Sequence, residues 1–348
     1  MEKNPREITY AQAISEALVQ GMELDPQVFI MGLGVDDFKG IFNTTCEAYK
    51  KFGVKRVFNT PASENAITGI AIGAALNGKR PIVVHARNDF MFLTLDQMIN
   101  NAAKWKYACV GSSSIPFVVR GIIGRGWGQG PTHSQSIQSI LTHIPGLFVA
   151  MPSSPYDVKG ILLRSLQVDA PTVILEHRLL YDIEGDVPKN RYTLEFGKAK
   201  IVHLGNDVTI VATSYMVVEA MKAARILKSD GIELEVIDPI TLQPLDEEAI
   251  IESVKKTGRL ICADTSWLAC GIASEISAIV AEKGFDFLRA PIRRIALPPC
   301  PCPVSKKLED VFYPTYQDIV KTAYDLLNKK VSQGVDRYNE VDTFMGPY

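Results

Sequence analysis

Short apolar runs alternate with longer amphipathic stretches along most of the chain. The runs predict strands at Val28–Met31, Pro81–His85, Pro116–Val119, Leu147–Met151 and Thr172–Glu176, and again at Val208–Thr213, Glu233–Ile237, Leu260–Ala263 and Ile292–Leu297. Several are β-branched and apolar on both faces, the pattern of strands buried in a parallel sheet. Helical stretches lie between them. Thr9-Tyr10-Ala11-Gln12 has capping-box spacing, and Tyr10, Ile14, Leu18 and Met22 mark one face of the helix that follows. Glu64–Asn77 is rich in Ala and Gly and almost uncharged, which predicts a helix packed closely and buried on most sides. Leu95–Ala108, Tyr156–Val168, Tyr215–Ser229, Glu247–Lys256, Ala269–Lys283 and Asp318–Asn328 complete the set.

Alternation of strand and helix argues for α/β domains with mostly parallel, doubly wound sheets. Between residues 180 and 200 the helical periodicity lapses, while Gly185, Pro188 and Gly197 accumulate. The expected layout is a first domain at 1–185, a linker at 186–197, a second domain at 198–330 and a tail at 331–348.

Composition narrows the function classes. The 348 residues carry a net charge of −2, from 37 basic and 39 acidic side chains, so no positive field recruits nucleic acid or an anionic membrane. No apolar run approaches the roughly 20 residues of a membrane span, and the first ten residues show no signal peptide. Six cysteines over this length argue against a disulfide scaffold and for a reducing, cytoplasmic setting. Cys300 and Cys302 form a C-x-C, but no second Cys/His pair at ligand spacing follows.

Several segments carry candidate chemistry. Gly32-Leu33-Gly34 follows a predicted strand, but Asp37 stands where a dinucleotide fingerprint needs its third glycine, so a plain turn is the better reading. In NTPASEN, Glu64 opens the apolar helix. It either complements the helix dipole or exchanges a proton with a ligand nitrogen. Arg87-Asn88-Asp89-Phe90 follows the strand ending at His85, where ligands of parallel sheets gather. Phe90 either stacks on a planar ring or packs in the core. GIIGRGWGQG, residues 121–130, holds five glycines in ten positions and so permits close backbone approach to a ligand. His133 follows it, the one histidine of five beside a glycine-rich loop, and either moves a proton near neutral pH or makes a structural hydrogen bond. Ser63 and Ser134 lie in no nucleophile elbow, which speaks against a hydrolase triad.

Together these segments resemble the β chain of the thiamine-diphosphate-dependent 2-oxoacid dehydrogenases, of pyruvate, branched-chain and acetoin type, in the transketolase-like group. The similarity runs over about residues 6–328. It is carried by RVFNTPASENAITGIAIGAALNGKRPI, LDQMINNAAK, PTHSQS, HIPGLFVAMPSSPYDVKGILL, PTVILEHRLLY, GKAKIV, DVTIVATSYM, LEVIDPITLQPLD and SVKKTGRLI.

The resemblance implies a pyrimidine-binding domain followed by a transketolase C-terminal domain. It makes Glu64 the carboxyl that hydrogen-bonds the pyrimidine N1′, and Phe90 the ring stacked on that pyrimidine. Ala62 becomes a backbone contact to the same ring. His133 becomes the histidine that moves a proton near the substrate or guides the acyl group to a lipoyl acceptor. Ser165–Ala170, with Phe117, would offer carbonyls to a structural K⁺. The diphosphate and its Mg²⁺ need a G-D-G followed by an Asn, and this sequence has no G-D-G. The resemblance places those on a separate α chain, so the expected assembly is an α₂β₂ heterotetramer, with a lipoyl acyltransferase core as a further partner and a small 2-oxoacid as substrate. At 348 residues the chain is expected to hold half of the cofactor site. A split transketolase or carboligase using an aldehyde or sugar acceptor is the alternative. A non-catalytic paralogue is the third reading, disfavoured by the joint presence of Glu64, Phe90 and His133.

Overall fold

The computed structural model describes residues 5–37, 39–125 and 128–330, so Gly126, Trp127 and the tail at 331–348 lie outside the described residues. The chain divides into two compact units. One comprises residues up to 124 and 140–196, the other 125–139 and the residues from 197.

The strands of the first unit are β1 Pro5–Thr9, β2 Val28–Gly32, β3 Val57–Asn59, β4 Arg80–His85, β5 Val118–Ile123, β6 Phe148–Ala150, β7 Thr172–His177 and β8 Glu184–Pro188. Within this unit the sheet runs β6-β7-β5-β4-β2-β3, and every neighbouring pair is parallel. β5 and β7 are buried at every position, as apolar runs on both faces predict. β2 lies between β3 and β4, with Gly32 in register with both Asn59 and Val84. The chain therefore turns to one side of β2 and then to the other. At such a reversal the loops leaving the carboxyl ends part to form a crevice.

The expected capping box closes the helix Tyr10–Leu24: Thr9 Oγ1 accepts from the Gln12 N–H, and Gln12 Oε1 accepts from the Thr9 N–H. Tyr10, Ile14, Leu18 and Met22 are all buried. β1 and β8 form a separate antiparallel ribbon. Beyond β8 the chain stays on this unit. Lys159, fully buried, bonds Glu16 at 2.5 Å and the carbonyls of Pro188 and Asn190 at 2.6 and 3.1 Å. Leu194 N–H donates to the Gly160 carbonyl at 3.2 Å.

The helix expected over Glu64–Asn77 runs Glu64–Leu76. Ile67, Thr68, Ala71, Ile72 and Ala75 are buried, while Ile70 stands 61% exposed, so one face of the helix is covered and the other is open in the single chain. The stretch 95–108 begins as a π-helix, Asp96–Ala102, before an α-helix, Ala103–Ala108.

The second unit contains β9 Lys200–His203, β10 Val208–Ala212, β11 Leu234–Asp238, β12 Thr241–Gln243, β13 Leu260–Trp267 and β14 Arg293–Leu297. A five-stranded sheet runs β14-β13-β10-β11-β9, parallel except for β9. The helices Tyr215–Ser229 and Tyr316–Leu326 bury Ala220, Leu227, Ile319 and Ala323 in one core with Val208, Ile210 and Val236. Helix Glu247–Thr257 is held at both ends. Asp246 caps its first turn by accepting from the Ala249 N–H, and Gly258 supplies the left-handed residue that ends it (φ +69°).

Candidate functional site

Three of the four expected site residues belong to the first unit. β3 ends at Asn59, and the loop Thr60–Ser63 carries Ala62, which is exposed, into the helix that Glu64 opens. The Asn59 Oδ1 accepts from the Gly34 N–H at 2.8 Å and from the Thr60 N–H at 3.0 Å. It thereby fastens the loop after β2 to the loop after β3. Glu64 is half-buried, and Ser63 makes no side-chain cap, so the first turn of the helix faces outward without an internal acceptor. Among the described residues no hydrogen bond or ion pair engages the Glu64 carboxylate; the Thr68 hydroxyl bonds its backbone carbonyl instead.

Phe90 lies in the 3₁₀ turn Asn88–Thr94 that follows β4. Asn88, Asp89 and Met91 are buried around it, whereas the Phe90 ring is 36% exposed. The alternative of core packing therefore describes Met91 rather than Phe90. The helix Glu64–Leu76 packs against both β4 and this turn. The Gln97 side chain, donating to Asn65 Oδ1 at 2.9 Å, ties the π-helix to the residue after Glu64. Ala62, Glu64 and Phe90 thus stand on the carboxyl ends of β3 and β4, on either side of β2.

His133 belongs to the second unit. It is half-buried, follows the 3₁₀ turn Gly130–Thr132, and its Nδ1 lies 2.9 Å from the Thr132 hydroxyl. Its loop is anchored downstream by Gln138, fully buried, which donates to Asp264 Oδ1 at 2.8 Å. Asp264 also accepts from Thr213 Oγ1 at 2.8 Å and Ser266 Oγ at 2.5 Å. Upstream, the glycines serve this unit's own chain. A Cβ on Gly128 would stand 2.7 Å from the Val304 carbonyl oxygen, and one on Gly130 2.6 Å from Val304 Cγ2. These two glycines (φ +62° and +66°) make room for the segment after Cys302, where the sequence pointed to room for a ligand.

In the C-x-C, Cys302 is buried with its Sγ 3.2 Å from the Tyr313 hydroxyl, while Cys300 is exposed. Burial pushes the Cys302 thiol up. Among the described residues no group of three His, Cys, Asp or Glu is placed to hold a metal. In the stretch the resemblance assigns to a monovalent cation, Arg80 Nη1 donates to the carbonyls of Leu166 and Val168 at 3.0 and 3.3 Å. The Phe117 carbonyl accepts from the Thr172 N–H at 3.0 Å.

Sequence reasoning passed over two groups beside the site. Arg120, within β5, is 1% exposed and bonds Glu176 through Nε at 2.6 Å and Nη2 at 2.8 Å; a charge inside an apolar run was the available signal. Burial works against the Arg120 charge, and the Glu176 carboxylate more than offsets it. The second is His85, the last residue of β4. It is buried, and its Nε2 meets no hydrogen-bond partner among the described residues. Burial pushes its imidazole down to about 4 from an ordinary 6.5.

That depression has a pH signature. As pH falls through 6.5 the unfolded chain takes up a proton that the folded chain refuses until about 4. Stability is therefore lost over that window, at about 1.4 kcal/mol per decade of pH and about 3 kcal/mol in all. In denaturant titrations at pH 7.5 and pH 5, the wild type should lose about 2 kcal/mol more than His85→Leu. Equal losses in the two proteins would show that His85 is not the group responsible.

The chain's similarities fit this architecture. The transketolase pyrimidine-binding domain matches residues 6–184, and the transketolase C-terminal domain matches residues 197–319. The β subunit of acetoin:2,6-dichlorophenolindophenol oxidoreductase from Bacillus subtilis is 41% identical over 336 residues, covering 93% of this chain and 98% of that protein. The pyruvate dehydrogenase E1 component β subunit of Rickettsia felis is 38% identical over 315 residues, covering 90% and 97%. Among solved structures, a split-gene transketolase in an inactive β₄ tetramer superimposes with a TM-score of 0.74 over 93% of this chain and 99% of that one. At 20% identity it speaks for the fold alone. No helix among the described residues is long and apolar enough to cross a membrane. With relatives near 40% identity over almost their whole length, the chain belongs to the family of E1 β subunits of thiamine-diphosphate-dependent 2-oxoacid dehydrogenases, built from the pyrimidine-binding and C-terminal domains of transketolase.

Proposed function

We propose that this chain is the β half of an enzyme that decarboxylates a 2-oxoacid and passes the acyl group to a lipoyl carrier, its active site shared with a separate α subunit in an α₂β₂ heterotetramer. The observation that carries this reading is the placing of Ala62, Glu64 and Phe90 on the carboxyl ends of β3 and β4, flanking β2, within the unit that matches the pyrimidine-binding domain. The residues fit a planar, nitrogen-bearing ring: a part-exposed aromatic side chain, a loop backbone left exposed, and a carboxylate with no hydrogen-bond or ion-pair partner among the described residues.

Thiamine diphosphate, when bound, supplies the carbon nucleophile that cleaves the bond beside a 2-oxo group. Phe90 offers its ring face to the pyrimidine, and the Ala62 backbone sets the ring's depth in the crevice. Glu64 holds a proton at the pyrimidine N1′. His133, on its anchored loop, holds or moves a proton at the substrate end and steers the acyl group outward. Residues 1–185 would then be the cofactor-binding domain, 186–197 the linker and 198–330 the C-terminal domain. The α subunit would contribute the Mg²⁺ and diphosphate contacts, and a lipoyl acyltransferase core would receive the product. A K⁺ at Ser165–Ala170 would require the Arg80 guanidinium, which now engages the Leu166 and Val168 carbonyls, to move away, because two cations on the same oxygens repel. A cytoplasmic location accords with this reading.

The test is co-expression with the α subunit and a screen of 2-oxoacids using dichlorophenolindophenol as electron acceptor. The pair should turn over at least one 2-oxoacid, and the β chain alone should turn over none. Activity of the pair confined to aldehyde or sugar acceptors would transfer the chain to the transferase reading. With lipoamide in place of the dye, His133→Ala should slow acyl transfer by about 10²-fold or more, the usual worth of a positioned acid or base. Its single-turnover decarboxylation should fall much less. Equal losses in both steps would remove His133 from the transfer step.

A further inference from the structure

The loop that leaves β2 has no part in the reading above, yet it leaves the carboxyl edge of the sheet between β3 and β4. Ile41, Phe42 and Asn43 follow one another at φ +22°, +55° and +63°. Isoleucine and phenylalanine rarely adopt such values, and a strained backbone of this kind persists only where its surroundings hold it. Two anchors do so. The Phe42 ring stacks on Tyr181, with centroids 4.8 Å apart and planes at 20°. Thr44 Oγ1 donates to the Ile41 carbonyl at 2.7 Å and receives Arg120 Nη2 at 3.3 Å. The anchors are themselves joined, because Tyr181 donates to Glu176 Oε2 at 2.7 Å while Arg120 bonds the same carboxylate. At the near end of the loop, Gly34 is fastened to Asn59. With Phe42 held inward, Ile41 is half-buried beside Gly34 and Asn43 is exposed.

We propose that Ile41 and Asn43 are specificity-determining residues that meet the side chain of the 2-oxoacid, and that Phe42, Tyr181, Arg120 and Glu176 are positioning residues that hold them in place. The loop starts from β2, between the strands that lead to Glu64 and to Phe90, and Ile41 comes back beside Gly34 at that end, toward which a substrate on the shared cofactor would extend. A strained backbone clamped by a buried network fixes a wall within a fraction of an ångström, which discrimination between short side chains demands. The proposal rests on the functional reading above.

The experiment uses the α–β holoenzyme and compares kcat/KM for pyruvate, 2-oxobutyrate and 2-oxoisovalerate in the wild type, Phe42→Leu, Phe42→Tyr and Asn43→Gly. Phe42→Leu should change the pyruvate to 2-oxoisovalerate ratio by about tenfold or more, the scale on which apolar pockets discriminate. Its KM for thiamine diphosphate should stay within threefold, and Phe42→Tyr should restore the ratio. If Phe42→Leu fails to assemble, Asn43→Gly, which keeps the left-handed backbone, should move the ratio in its place. An unchanged ratio in an assembled variant overturns the proposal, as does a matching loss of cofactor affinity. If the wild type accepts ketose donors and no 2-oxoacid, the functional reading falls separately, and the same ratio measured between two ketoses decides the loop. If it accepts neither, hydrogen exchange decides: no added protection of residues 37–45 on supplying Mg²⁺, thiamine diphosphate and donor overturns the proposal.

Discussion

Glu64→Gln should lower kcat of the reconstituted enzyme by about 10²–10⁴-fold while the heterotetramer still assembles. The substitution keeps the length and shape of the side chain and removes only its ability to share a proton. Structure predicts the small stability cost. The carboxylate makes no hydrogen bond or ion pair among the described residues, and the first turn keeps its backbone bond from Ile67 N–H to the Ser63 carbonyl. What is lost is the favourable meeting of a negative charge with the helix N-terminus, worth about 0.3–1 kcal/mol. A helix-dipole role alone would leave turnover nearly intact, so steady-state turnover with size-exclusion chromatography decides between the two readings of Glu64. Near-wild-type turnover would remove Glu64 from the chemistry. A variant that fails to assemble would place it in the interface with the α subunit.

The pattern of apolar positions was enough to place the main strands and helices, because periodicity reports burial on one face. Helix Tyr215–Ser229 has the predicted bounds, and the capping box at Thr9 is the predicted one. Legibility failed where side-chain pairing replaces hydrophobicity. β5 extends through Arg120 to Ile123 rather than stopping at Val119, since a partner 56 residues away, Glu176, makes the arginine tolerable inside the sheet. β1 and β8, built of PREIT and EGDVP, carry no apolar alternation and pair only with each other. Phe90 and Glu64 could be found because each follows a readable strand or opens a readable helix. Phe42 could not, since neither its left-handed backbone nor its stacking on Tyr181 leaves a mark on local composition. The glycines around His133 show the opposite error. Their number was plain, but what they make room for depends on Val304, far along the chain.

The largest stability effect is expected at the buried pair that legibility missed. Arg120→Leu should destabilise the first unit by about 3–5 kcal/mol, the cost of leaving one member of a buried ion pair uncompensated. Glu176 is fully buried, and after the substitution the Tyr181 hydroxyl would be its carboxylate's one remaining hydrogen-bond donor among the described residues. That charge would then be buried without a counterion. Replacing both residues, Arg120→Leu with Glu176→Leu, removes the uncompensated charge and should recover most of the loss, because an apolar pair of similar volume is often as stable as the ion pair. Denaturant unfolding of the two single variants and the double variant forms a cycle that measures the coupling directly. A double variant no more stable than Arg120→Leu would mean that the cost lies elsewhere, in Thr44 and the strained loop it holds. In that case the loss should come with altered substrate preference. If instead the unpaired carboxylate is responsible, Arg120→Leu combined with Glu176→Gln, which removes the charge and keeps the shape, should also recover most of the loss.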